Sequence, residues 1–411
     1  AYLDRIAQLN NQGPTLNAVL EVNPAALEDA AALDLRFSEA GPVGALHGIP
    51  VLVKGNIDIA GLTSSAGSLA LAEGIEPAAA DAYLVTQLRR AGAVILGTAN
   101  LSEWANFRDQ KSSSGWSSQG GQTRNPHVLD RNPCGSSSGS GAAVAARLAP
   151  LAIGTETNGS IVCPAAANGV VGIKPTLGLV SRRGIIPIAF TQDTAGPMAR
   201  SVSDAALLLE AIASFDADDP AAIQADHARY QPDPGIRRLD GKRIGILRTY
   251  SGAGARPKLD RIYQQTVQRL TDLGATLVDP VEYQPPPEFR PAAYRILLRE
   301  FKATLNDYLA SRSLPEDRDS LADLIRFNET HARRVMPIFE QSIFLEAQAM
   351  GGLDEPEYAE DIANVQDQLR SDLDAIFAEH ALDALLLPGN APAWKTDWVN
   401  GDHFTYGGSA Y

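Results

Sequence analysis

The sequence predicts an α/β fold in which helices cover a sheet. Short apolar bursts recur along the chain, and between them lie amphipathic stretches, several opened by Asp or Ser and closed by Gly. The bursts at 51–53, 93–96, 151–153, 170–173, 243–247 and 384–387 are apolar without strict alternation, as strands buried on both faces are. Taken in chain order, the first element is an amphipathic helix carrying Tyr2, Leu3, Ile6 and Leu9. Further helices are expected near 24–40, 80–91, 141–149, 202–214, 257–274 and 360–380. The segment 216–241 is polar and proline-broken, which suits a connection between two lobes. Behind Pro285-Pro286-Pro287, residues 288–380 read as a helical layer that precedes the last strand.

The chain has 411 residues, and 35 Lys+Arg against 49 Asp+Glu give a formal charge of −14. Nucleic acids and anionic membranes are held by clustered cations, so this balance argues against both, and no apolar run approaches the ~18–20 residues of a membrane span. Small neutral substrates fit better. Cys134 and Cys163 lack metal-ligand or CxxC spacing, which argues against a structural zinc and against a disulfide framework. On that ground the cytoplasm is favoured; the chain starts at Ala1 inside a helix, so a removed export signal stays open.

The densest signal is the Ser/Gly-rich stretch 112–141, in which every residue from 135 to 141 is Ser or Gly. A flexible linker seldom sits between two helices and seldom carries a tryptophan such as Trp116 and two Asn-Pro pairs. A backbone-rich catalytic loop is the better reading. Gly135-Ser136-Ser137-Ser138-Gly139 satisfies GxSxG, yet Asn125-Pro126 and Asn132-Pro133 break the strand that a nucleophile elbow needs before it. None of His47, His127, His227, His331, His380 and His403 stands in a setting that marks a triad base. SxxK, HExxH, the P-loop and a complete GxGxxG are absent.

What remains is Lys54 at the end of Pro50-Val51-Leu52-Val53-Lys54-Gly55-Asn56, and a second serine in Gly154-Thr155-Glu156-Thr157-Asn158-Gly159-Ser160. With the 135–140 cluster these motifs resemble the amidase signature family, whose Lys-Ser-Ser triad sets two serines about two dozen residues apart; here 160 − 136 = 24. The resemblance is strongest over 44–205. It runs through Asn100-Leu101-Ser102-Glu103-Trp104, Gly121-Gln122-Thr123-Arg124-Asn125-Pro126, Gly172-Ile173-Lys174-Pro175 and Asp193-Thr194-Ala195-Gly196-Pro197. Ser114-Gly115-Trp116 and Gly159-Ser160-Ile161-Val162-Cys163-Pro164 look most similar to bacterial peptide amidases, which release ammonia from C-terminally amidated peptides.

The resemblance implies a mixed, twisted sheet flanked by helices on both sides, in one amidase domain over 1–411 that lacks its native ends, with a helix-rich part at 257–380. It implies Ser160 as nucleophile, Ser136 on a cis Gly135-Ser136 peptide as the bridging residue, and Lys54 as the ultimate base. An ammonium accepts no proton, so Lys54 must rest neutral, through burial and a cationic or dipolar neighbourhood. Backbone N–H groups of Thr157, Asn158, Gly159 and Ser160 would hold the oxyanion. Trp116 is the candidate substrate wall, and Asp193 either orients a catalytic element or caps a turn. Ser137, Ser138 and Ser140 would brace the loop. No cofactor, metal or obligate partner subunit is implied; the partner is a small-molecule or peptide amide. This chain has Gly55 where the family often has Asp, Ser138 for a frequent Gly, Asn158 where relatives carry Asp, and Val162 for a common Arg. Two other readings stay open: the amidase subunit of a glutamyl-tRNA amidotransferase, and an inactive binding protein of the same fold.

Overall fold

A computed structural model describes residues 1–224, 230–233, 235–248 and 257–403. Its centre is a six-stranded mixed sheet built from β1 (Val19–Val22), β2 (Pro50–Lys54), β3 (Val94–Ala99), β4 (Leu151–Glu156), β5 (Val171–Gly172) and β6 (Thr194–Ala199). The order is β1-β3-β2-β4-β6-β5; β3, β2 and β4 run parallel, and β1, β6 and β5 pair antiparallel to their neighbours. Side chains alternate across a strand. Val51 and Val53 of β2 therefore join Ile95, Leu151 and Ile153 in one core, under α3 (Tyr83–Arg90) and α6 (Val202–Ile212). Leu52 points the other way, into a second core with Leu96, Ala152, Ile6 of α1 (Tyr2–Leu9) and Ala142 to Val144 of α4 (Ser138–Ala145). Two cores on opposite faces are why these strands read as continuous apolar runs. The sheet is thus covered by helices on both sides, as expected.

The helix expected at 141–149 begins earlier, inside the serine cluster. Ser138 and Ser140 donate to the carbonyls of Cys134 and Ile153 at 2.7 and 2.9 Å, so tertiary hydrogen bonds override a poor helical propensity. The helix near 24–40 is α2 (Ala26–Ala40), and α5 (Val162–Asn168) follows the second serine motif. Three of the longer strands went unforeseen. In β6 the Gly196-Pro197 pair reads as a strand breaker, yet Pro197 sits opposite Ile153 and its carbonyl accepts from Ile173 N–H at 3.1 Å, so the missing proline donor costs the sheet little there. β1 and the edge strand at 276–281 are partly exposed and carry no clear period.

The strands at 243–247 and 384–387 are not part of the main sheet. Arg243–Leu247 is β7, and it lies between β8 (Thr276–Val281) and β9 (Ala384–Leu386) in a separate three-stranded parallel sheet, beside α7 (Pro257–Asp272). Part of the connection 216–241, with His227, lies outside the described residues, as does the C-terminal run from 404. The helical layer is led by α8 (Phe289–Ala310), whose Phe301 packs with Phe344, Phe107 and Trp104. Further along, the expected 360–380 helix is interrupted by a π turn at Ala363–Asp367 before α9 (Gln368–His380). Among the described residues no helix is long and apolar enough to cross a membrane.

Candidate active site

Parallel pairing of β2 with β4 places Val53 opposite Ile153, and so brings the end of each strand to the same edge of the sheet. Lys54, fully buried, is the last residue of β2; Thr155 and Glu156 end β4. The Lys54 Nζ lies 2.7 Å from Ser136 Oγ, 2.7 Å from Thr155 Oγ1 and 3.2 Å from the Thr155 carbonyl. Burial pulls its pKa down from 10.5 to about 7, against the opposing charges of Glu156 and Asp193. Of the expected causes burial holds and a cationic neighbourhood does not: the charges facing this amine are carboxylates, and desolvation outweighs them.

A neutral amine has two N–H donors and one lone pair. Thr155 offers two acceptors, its carbonyl and its hydroxyl oxygen, which leaves the lone pair directed at the Ser136 hydroxyl. Asn56 Nδ2 donates to the same Thr155 Oγ1 at 3.1 Å and so steadies it. Neither Thr155 nor Asn56 was singled out from the sequence. Their signal was adjacency, since each belongs to a motif quoted for Lys54 or Ser160.

Ser136 is fully buried on a cis Gly135-Ser136 peptide, as the resemblance implied. A Cβ at Gly135 would displace Ser102 Oγ, which accepts from Gly115 N–H, and crowd Ser114 and Ser138. The neighbouring serines act as struts: Ser137 Oγ donates to the Thr155 carbonyl at 3.1 Å, beside the Ser138 and Ser140 bonds described above. Ser137 N–H donates to the Ser160 carbonyl at 3.0 Å, which docks the second motif against the first. Ser160 is 8% exposed and Ser136 0%, and of the two it is Ser136 that lines the adjoining cavity.

Around Ser160 the backbone is held by Glu156, whose carboxylate accepts from Gly159, Ile161 and Val162 N–H at 3.0, 2.7 and 3.0 Å. Gly159 N–H therefore serves the turn, while the Asn158 side chain faces solvent. Thr157 donates its hydroxyl to Asp193 Oδ1. Asp193 Oδ2 also accepts from Ile188 and Ala189 N–H at 2.8 and 2.9 Å, so this buried carboxylate caps a turn and orients the Thr157 segment at once. Burial pushes the Asp193 carboxyl up, and three hydrogen bonds oppose it.

A cavity of about 260 Å³ opens onto this edge, lined by Ser136, Thr155 to Thr157 and Asp193 on the polar side and by Ile185 to Ile188 and Phe190 on the apolar side. At its rim Arg182 pairs with Asp219, and Arg183 with Asp216. Trp116 is elsewhere: buried, it packs edge-on to Phe339 at 5.0 Å, beneath Arg108, and borders a separate recess with Gln122 and Trp394. Gly55 is explained by space, because a Cβ there would meet Leu20 Cδ1 at 2.9 Å and the Ala99 carbonyl oxygen at 3.2 Å. No carboxylate fits at that position without repacking.

The cysteines require a correction. Cys134 and Cys163 form a disulfide, although nothing in their spacing announced one. The two Ser motifs fold side by side, and that brings residues 29 apart in sequence to a Cα separation of 5.9 Å. With it goes the argument for a cytoplasmic location that rested on unpaired cysteines.

The Amidase family profile matches residues 1–403. The chain belongs to the amidase signature family. This amidase superposes on the native peptide amidase of Stenotrophomonas maltophilia with a TM-score of 0.89 at 49% identity, over 96% of this chain and 80% of that one. A probable amidase of Arabidopsis thaliana is 39% identical over 408 residues, 95% of this chain and 75% of the plant protein. One subunit of the glutamyl-tRNA(Gln) amidotransferase of Acidothermus cellulolyticus is 43% identical over 276 residues. That match covers 67% of this amidase, which spans about half (53%) of the length of that relative.

Proposed function

We propose that this amidase hydrolyses primary amides, C-terminally amidated peptides foremost, through an acyl-enzyme on Ser160. The observation that carries the reading is the buried Lys54 amine, poised near neutrality, with Ser136 Oγ at 2.7 Å and its two other contacts both on Thr155. The Ser160 hydroxyl attacks the amide carbonyl and passes its proton to Ser136, whose own proton moves to Lys54 Nζ. The oxyanion is met by backbone N–H groups of the 157–160 segment, with Thr157, Asn158 and Ser160 as donors. Collapse breaks the C–N bond, and the proton returns along Lys54 and Ser136 to the leaving nitrogen, which departs as ammonia. Water then takes the nucleophile's place, and the same relay frees the carboxylic acid and restores Ser160.

The substrate assignment is supported by the peptide amidase likeness over nearly the whole chain. It is tested by measuring ammonia release from peptide amides, fatty-acid amides and free glutamine, with Ser160→Ala alongside. Release from peptide amides that disappears in Ser160→Ala is expected. Release from glutamine alone would favour the amidotransferase reading that the Acidothermus relative suggests. No release from any substrate, with no covalent labelling at Ser160, would leave a binding protein.

A further inference from the structure

The loop 185–193 supplies the apolar wall of the cavity, and one of its side chains is placed unlike the others. Ile186, Ile188 and Ala189 are drawn into the core around Phe301, whereas Phe190 joins no described core cluster and is 39% exposed. A lone exposed aromatic is ordinary on a protein surface. This one lines the cavity, and charged groups hold the backbone on both sides of it. Its carbonyl accepts from Arg182 Nη1, and Asp193 accepts from Ala189 N–H at 2.9 Å. From the helical layer, the fully buried Glu300 of α8 accepts from Thr191 N–H at 3.1 Å and from the Thr191 hydroxyl at 2.9 Å. The chain is thus fixed while the ring stays outside the core. The rim adds a second constraint, because Arg182 gives its Nε and Nη2 to Asp219, and Arg183 pairs with Asp216 and Asp218. A carboxylate arriving with the substrate would have to compete with an aspartate already in place, so what this wall offers is apolar surface.

We propose that Phe190 is a specificity-determining residue: with Ile185 to Ile188 it forms a subsite for an apolar side chain, above all an aromatic one, on the amidated residue of the substrate. The proposal rests on the reading of this cavity as the place where a peptide amide is hydrolysed, and it narrows that substrate class. The amide would meet the polar side, at Ser136 and Thr157, and the side chain of the same residue would meet the apolar side. At about 260 Å³ the cavity lies near the lower end of ligand sites, which suits one end of a peptide. An aromatic side chain would bury area against the wall and gain an offset or edge-on contact with the Phe190 ring. Glycine at the amidated position would leave both in water. A contact with the side chain, away from the bond that breaks, is made equally in the ground state and the transition state, so it should register in KM rather than kcat.

The test is steady-state ammonia release from peptides that differ only at the amidated residue: acetyl-alanyl-phenylalaninamide, acetyl-alanyl-glycinamide and acetyl-alanyl-glutamic acid 1-amide. Wild type should favour the phenylalanine peptide over the glycine peptide by about 10–100-fold in kcat/KM, the worth of burying one phenyl ring. Phe190→Ala should shrink that preference about tenfold, through a higher KM for the phenylalanine peptide and little change in kcat. Phe190→Lys should shrink it as well and raise the glutamic acid peptide relative to the other two, because an ammonium then faces its carboxylate. A wild-type ratio near one overturns the proposal, as does a Phe190→Ala enzyme that loses both peptides in equal proportion, the result a merely structural role would give. The ratio is read within one preparation, so partial misfolding of a variant cancels, and either variant decides alone. No ammonia from any of the three peptides in folded wild type would instead overturn the functional reading, and the proposal with it.

Discussion

The edge of the main sheet and the small sheet β8-β7-β9 use the same residue types to opposite ends. At the main edge, Lys54, Glu156 and Asp193 are buried, and desolvation dominates each of their shifts. Around the small sheet, Lys242 meets Asp383 at 2.9 Å, Arg248 meets Asp279, and Arg238 meets Asp240 at 2.7 Å, largely in solvent. There the partner charge or a hydrogen bond, with burial a lesser influence, holds Asp279, Asp240 and Asp383 below their ordinary values. Burial therefore separates a lysine that can exchange a proton near neutrality from lysines that only decorate a surface.

Lys54→Met presses this contrast hardest. Removing the base should cost about 10²–10⁴ in amide hydrolysis. The same change should raise thermal stability near neutral pH, because the native state no longer buries an amine whose pKa is depressed. The sign follows from linkage: between pH 7 and 10.5 the unfolded lysine binds more proton than the folded one, so wild-type stability rises with pH across that window. The stabilisation by Lys54→Met should accordingly fade as pH approaches 10.5. A melting curve that is lower at pH 7, or a gain that does not fade, breaks the account of burial as the cause.

Replacing both cysteines with alanine should destabilise by about 3–4 kcal/mol in the chain-entropy account, for a loop closed over 29 residues. Chemical denaturation with and without a dithiol reductant measures it; equal midpoints would mean that the serine motifs hold together without the bond. Thr155→Val keeps the side-chain shape and removes the hydroxyl that accepts from Lys54 and Asn56. It should reduce kcat roughly 10–100-fold with little change in KM, since the loss falls on the base and not on substrate contacts. At the small end, Lys242→Ala removes an exposed pair and should leave kcat unchanged, with the smallest shift in melting temperature of the set. A loss of activity there would show the small sheet to be coupled to the site.

Lys54, Ser136 and Ser160 could be named before any coordinates because the motifs that carry them resemble the amidase signature. The main strands could be named because burial on both faces demands apolar runs. Other features had no local signal. Glu156 and Thr155 occupy consecutive positions in a legible motif, yet their tasks depend on the parallel register of β2 and β4, a pairing left open by a sequence separation of 101 between Lys54 and Thr155. The disulfide is invisible for the same reason, as is the destination of Trp116, where an aromatic in a serine-rich loop suits a pocket wall and a core equally.

Residue type and short-range period determined the fold class, and the motifs, through their resemblance to the amidase signature, determined the family and which side chains could do chemistry. Tertiary structure decided which groups became reactive. A lysine's proton affinity depends on whether water reaches it, and a hydroxyl's partner depends on which strand lies beside it. Both are settled only when distant segments pack.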